Sequence, residues 1–133
     1  MLRDELVDAL KRYFAAAPDG LVAVYLFGSR ARGEGGAVRD VDLGLLFGDP
    51  PLPAHGGPAD RIADALGLRL GLAVDAVVLD AAPSDLVHRV LRDGILVHEG
   101  DAARRVRFEV STRRAYLDLL PVLRQYRAAR AAR

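Results

Sequence analysis

Apolar and polar positions along the chain alternate between two periods. Residues 3–16 carry Leu6, Ala9, Leu10, Tyr13 and Phe14 at helical spacing, with Leu2 just ahead, which predicts an amphipathic helix. Pro18-Asp19-Gly20 breaks it. Residues 21–27 (LVAVYLF) form an unbroken apolar run, as expected of a strand covered on both faces. A second strand is predicted over 38–47, ended by a Pro/Gly-rich loop at 51–57. A helix follows over 58–70 around Ile62, Leu66 and Leu70, then a third strand over 72–79. Another helix runs from Ser84 through Leu91 to Asp93-Gly94, and a short strand covers 95–97. Residues 101–131 read as helix, with Val106, Val110, Leu117, Leu120 and Leu123 as one apolar stripe. Pro121 is expected to interrupt or kink that helix, because proline lacks the amide it needs. The fold class is α/β (α+β): a small mixed sheet flanked by helices, with a helical C-terminal tail.

A chain of 133 residues suits one domain over 1–133, with a catalytic sheet and helices over about 1–100 and a basic helical segment over about 101–133. The absence of cysteine excludes thiolate catalysis and cysteine-ligated zinc. No apolar stretch is long enough for a membrane span, and the N-terminal segment is not a secretory signal, so a cytoplasmic protein is expected. The net charge of +1 hides an asymmetry. Residues 101–133 hold nine arginines against Asp101, Glu109 and Asp118, which leaves the rest of the chain acidic.

Three acids sit where strands should be apolar. Asp40 and Asp42 flank Val41, so both project from one face of the strand about 6.5 Å apart. Like charges that close are costly unless cations lie between them. Two Mg²⁺ ions answer that need, since magnesium takes oxygen ligands and paired metals clamp the oxygens of phosphoryl transfer. Asp75 interrupts another apolar run and could bind the same metal while taking a proton from an acceptor hydroxyl. Asp80 competes for that role but stands at a strand end, where aspartate is ordinary. Gly28-Ser29 follows the first strand directly. The glycine lets backbone approach a phosphate, Ser29 adds a hydroxyl, and Arg30, Arg32 and Arg39 are nearby cations. Ten residues, 30–39, separate Ser29 from Asp40, enough for the chain to return as the adjacent strand. His55, His88 and His98 lack ligand spacing and read as structural or solvated, His88 near the solvent face of its helix.

Gly28-Ser29, ten residues, Asp40-Val41-Asp42 and a later Asp75 resemble the signature of the polymerase β-type nucleotidyltransferases, and the whole chain resembles the minimal nucleotidyltransferases (MNT). That resemblance implies nucleotide binding by Gly28, Ser29 and Arg30, and Mg²⁺ binding and catalysis by Asp40, Asp42 and Asp75, with ATP as substrate. It also implies an antitoxin that transfers AMP to a tyrosine of a HEPN-domain ribonuclease toxin. Two alternatives stand beside it: neutralisation by binding alone, and transfer to a small molecule such as an aminoglycoside. Little chain remains to hold an acceptor, which favours a protein presenting it. Tyr116, Leu119, Leu123 and Tyr126 among the C-terminal arginines form a candidate docking surface. No stacking platform accompanies those arginines, so direct nucleic-acid binding is disfavoured.

Overall fold

The structure, a computed structural model, describes residues 2–16, 20–28, 40–49 and 56–132. In chain order these form α1 (Arg3–Ala15), β1 (Ala23–Phe27), β2 (Asp40–Leu46), α2 (Pro58–Leu70), β3 (Ala73–Val78), α3 (Ser84–Asp93), β4 (Ile95–Glu99) and α4 (Ala102–Ala131). The strands make one mixed sheet in the order β3-β2-β1-β4. β1 pairs antiparallel with both β2 and β4, whereas β2 and β3 run parallel. A parallel pair needs a crossover, and α2 lies in that connection. Pro58 in its first turn and Gly71, left-handed at φ 66°, mark its two ends.

The unbroken apolar run of β1 is explained by its two covered faces. Val24 and Leu26 join Leu6, Leu10 and Phe14 of α1, Leu66 of α2, and Val41, Leu43 and Leu45 of β2 in one buried cluster. Ala23 and Tyr25, pointing the other way, join Leu46, Leu79, Val87 and Val90 in a second. The sheet therefore has α1 and α2 over one face and α3 over the other. In β2 the same alternation sends Val41, Leu43 and Leu45 toward the first layer. Asp40, Asp42 and Gly44 are left on the α3 side.

Several boundaries differ from the sequence pattern. Positions 38 and 39 of the expected second strand lie outside the described residues, as do Pro18 and Asp19. The third strand stops at Val78, because Leu79–Ala81 turn into a single 3-10 turn that buries Leu79 beneath Gly44. A Cβ on Gly44 would stand 3.0 Å from both methyl carbons of Leu79, so the glycine makes room for that side chain. The fourth strand runs on past Val97, since His98 and Glu99 find partners in Val24 and Ala23.

The last helix departs furthest from expectation. It runs through Pro121 without interruption over 30 residues. One proline removes a single amide from a ladder in which the neighbouring turns keep theirs. Nor is its apolar stripe single. Val106, Val110 and Leu117 are exposed, whereas Leu120 and Leu123 are half-buried. The helix is tied down at its start. Asp101 accepts from the amide of Arg104 as N-cap at 3.1 Å. Arg105 bridges Glu99 and Glu109, and the Tyr25 hydroxyl donates to Glu109 at 3.3 Å. Burial and the neighbouring Glu109 carboxylate push the Tyr25 phenol well above its usual range. Further along, Tyr116 stacks on His88 of α3 with ring centres 3.6 Å apart. His88 thus lies in a helix contact, away from the solvent face expected for it. Its Nδ1 is buried and has no hydrogen-bond partner among the described residues.

Candidate active site

β1 ends at Phe27, β2 begins at Asp40, and β3 runs parallel to β2, so Gly28, the Asp40–Asp42 pair and Asp75 come to one end of the sheet. The register is specific. Asp42 stands opposite Phe27 on one side and Asp75 on the other, and Asp40 stands opposite Ala73. Register partners in adjacent strands project from the same face at about 4.8 Å between strands. Asp42 and Asp75 are therefore direct neighbours, with Asp40 one pleat further along the same side. Asp40 and Asp75 are exposed and Asp42 is half-buried.

The electrostatics follow from that placement. Asp42 titrates above the usual carboxylate range, first because burial penalises its charge, then because Asp75 and Asp40 repel it. No described cation pairs with it. Among the described residues, no group of three or more acidic or histidine side chains is placed to hold a metal ion as it stands. The three carboxylates share a face and an end of the sheet, and their donor set is oxygen alone, as magnesium prefers. Two like charges in register, one of them half-buried, concentrate negative charge at this end of the sheet.

Gly28 has a left-handed backbone at φ +78°, and a Cβ there would lie 2.5 Å from Oδ2 of Asp42. The first anion this glycine admits is thus the carboxylate of Asp42. Ser29 and Arg30, with Arg32, Arg39 and His55, lie outside the described residues. Asp80, the competing acid, is engaged elsewhere. Its two carboxylate oxygens accept from the amides of Phe47 at 3.0 Å and Gly48 at 2.9 Å, at the far end of β2. A carboxylate holding two backbone amides is a staple for the turn leaving the strand. Asp80→Ala is expected to destabilise the chain by about 2 kcal/mol, because both amides lose a charged acceptor. Thermal unfolding should show the loss, while nucleotide chemistry at the opposite end is retained.

A four-stranded mixed sheet that brings acids from β2 and β3 beside the glycine after β1 is the arrangement of a nucleotidyltransferase fold. Residues 8–103 match the family model "Polymerase beta, Nucleotidyltransferase", and the chain belongs to that family. Among solved structures, one of a toxin–antitoxin with AMP-PNP is 25% identical, with a TM-score of 0.73 and 100% of both chains covered. A tri-AMPylated Shewanella oneidensis HEPN toxin in complex with MNT antitoxin gives a TM-score of 0.73 at 22% identity, covering 99% of this chain and 100% of that one. A candidate minimal nucleotidyltransferase is 33% identical over 71% of this chain and 95% of its own, with a TM-score of 0.54. No curated protein matches the chain significantly. Among the described residues no helix is long and apolar enough to cross a membrane.

Proposed function

We propose that this nucleotidyltransferase is an Mg²⁺-dependent adenylyltransferase, the MNT antitoxin of a pair. In this reading it moves AMP from ATP onto a tyrosine of a HEPN-domain toxin in the cytoplasm. The observation that carries the reading is the in-register pair Asp42–Asp75, with Asp40 on the same face and Gly28 against Asp42. The neighbour with AMP-PNP supports ATP as the nucleotide, and that neighbour is a toxin–antitoxin assembly spanning the same full length.

In the reaction the acceptor oxygen bonds to the α-phosphorus of ATP, the bond to the bridging oxygen breaks, and pyrophosphate leaves. Asp40, Asp42 and Asp75 would hold the metal, which supplies charge neutralisation and polarises the phosphate oxygens. Asp75, exposed on the outer strand of the trio, is placed to meet an arriving acceptor and take the proton from its hydroxyl. Gly28 leaves room for the carboxylate of Asp42 and, with Ser29 and Arg30, cradles the phosphates. The chain acts as one unit, with residues 101–133 completing it.

The test is incubation of the purified chain with ATP, Mg²⁺ and a purified HEPN-domain toxin protein, followed by intact mass. The expected result is a gain in whole AMP units on that protein, lost with EDTA. An unchanged mass, with toxicity still neutralised, would assign neutralisation to binding alone.

A further inference from the structure

α4 is a 30-residue helix, about 45 Å long, whose one buried residue is Thr112. It leans on α3 through contacts such as Tyr116 on His88, and on the sheet through Arg105 and Glu109. Away from those contacts a second apolar face is left uncovered. Val106, Val110 and Leu117 are 47%, 42% and 62% exposed. At about 100° per residue they fall within an arc of about 40°, so they form one line along the helix. Arg107, Arg113 and Arg114 are exposed around that line, and none has an acidic partner among the described residues. Of the surface expected from the sequence, Tyr116, Leu119 and Leu123 are half-buried and Tyr126 is exposed, and the Val106–Val110–Leu117 line lies apart from these four.

The charge says what covers it. α4 holds eight arginines against Glu109 and Asp118, a net +6, while the remainder of the chain is net acidic. Pairing α4 with α4 of a second copy would oppose two strongly positive helices. A nucleic acid would satisfy the arginines but leave the valines and the leucine against phosphate. An apolar protein surface rimmed with Asp and Glu satisfies both.

We propose that the Val106–Val110–Leu117 face of α4 is the docking surface for an acidic-rimmed apolar face of the protein that accepts AMP. This rests on the function proposed above and assigns the surface through which that protein is held. The reacting end of the sheet then receives the acceptor while α4 supplies the grip. The line of three side chains supplies the apolar centre, and Arg107, Arg113 and Arg114 steer and orient the approach.

The test measures binding of the full-length chain to the purified HEPN-domain protein by calorimetry, alongside intact-mass assay of AMP transfer. Val110→Asp and Leu117→Asp should each weaken binding roughly thirty-fold or more, as loss of a central apolar anchor does. Arg113→Glu with Arg114→Glu should weaken it further at low salt than at high salt. Val122→Asp, off the line, should change it less than about three-fold, and circular dichroism should show helix retained throughout. Binding within two-fold of wild type for both stripe variants overturns the surface, and continued transfer by them would leave the proposed activity standing. Transfer absent from a wild-type complex that the stripe variants still disrupt would sink the activity and support the surface. Loss of self-association or of RNA binding in the variants, with partner binding intact, overturns it by giving the face to another occupant. A wild-type chain that forms no complex overturns both.

Discussion

Asp42→Asn is expected to abolish AMP transfer, by roughly 10³-fold or more, and at the same time to raise the melting temperature of the metal-free chain. The first effect follows from removing a charged oxygen ligand at the centre of the carboxylate trio, worth several kcal/mol of transition-state stabilisation. The second follows from the direction of its titration. Burial, then Asp75, then Asp40 raise the folded-state pKa of Asp42 above its unfolded value. The folded state therefore binds the proton more tightly, and the ionised side chain opposes folding. That penalty is full at neutral pH and fades as pH falls into the carboxylate range. Asparagine removes it, so the variant should melt higher than wild type near pH 7. The gap should close as the pH is lowered. Mg²⁺ should stabilise the wild type and leave the variant nearly unmoved. Differential scanning calorimetry with and without the metal reads all three. A variant that melts lower than wild type at neutral pH would contradict the electrostatic account.

Gly28→Ala should also silence the enzyme, with the opposite effect on stability. At φ +78° any side chain is strained, at a cost of about 1–2 kcal/mol. Its Cβ would in addition arrive 2.5 Å from Oδ2 of Asp42, which forces that carboxylate from its place between Phe27 and Asp75. Displacement of a reacting geometry by about 1 Å costs on the order of 100-fold in rate. The expected phenotype is a lower melting temperature together with lost transfer. Asp42→Asn combined with Gly28→Ala should recover part of the melting temperature, because the uncharged amide tolerates displacement better than the carboxylate. Equal stability losses in the two backgrounds would mean that Gly28 acts through its backbone angle alone.

The contrast between these variants shows what was legible in the residues. An apolar run without alternation at 21–27 predicts a strand covered on both sides, and β1 sends Val24 and Leu26 into one buried cluster and Ala23 and Tyr25 into the other. An Asp-x-Asp within the next strand predicts two acids on one face, and the alternation of Val41, Leu43 and Leu45 into the opposite layer accounts for it. Position within the strand pattern separates Asp75, inside an apolar run, from Asp80, at a strand end. It is the parallel register that makes Asp75 the neighbour of Asp42 and sends Asp80 to the far end. Register was beyond the sequence, since it is set by how α2 and its flanking glycines close the crossover. One steric reason for Gly28 was equally hidden: a Cβ there would meet Oδ2 of Asp42 at 2.5 Å, a contact that exists only once β1 and β2 are paired.

α4 departs from its sequence pattern for another reason. A helix of 30 residues passes every side chain through many turns, and apolar residues from two faces look like one stripe when counted by spacing. Only packing separates Leu120 and Leu123, half-buried, from Val106, Val110 and Leu117, which stand open. Pro121 does not stop the helix. Its local cost is real, but the amides of the turns on either side remain, and the helix continues.

The most direct measurement is a crystal structure of the chain soaked with AMP-PNP and Mn²⁺, with anomalous scattering used to find the metal. We expect manganese bonded to Asp42 and Asp75, with Asp40 completing the set and the triphosphate running past Gly28. Manganese absent from those carboxylates, or a nucleotide bound away from that end of the sheet, would contradict the assignment.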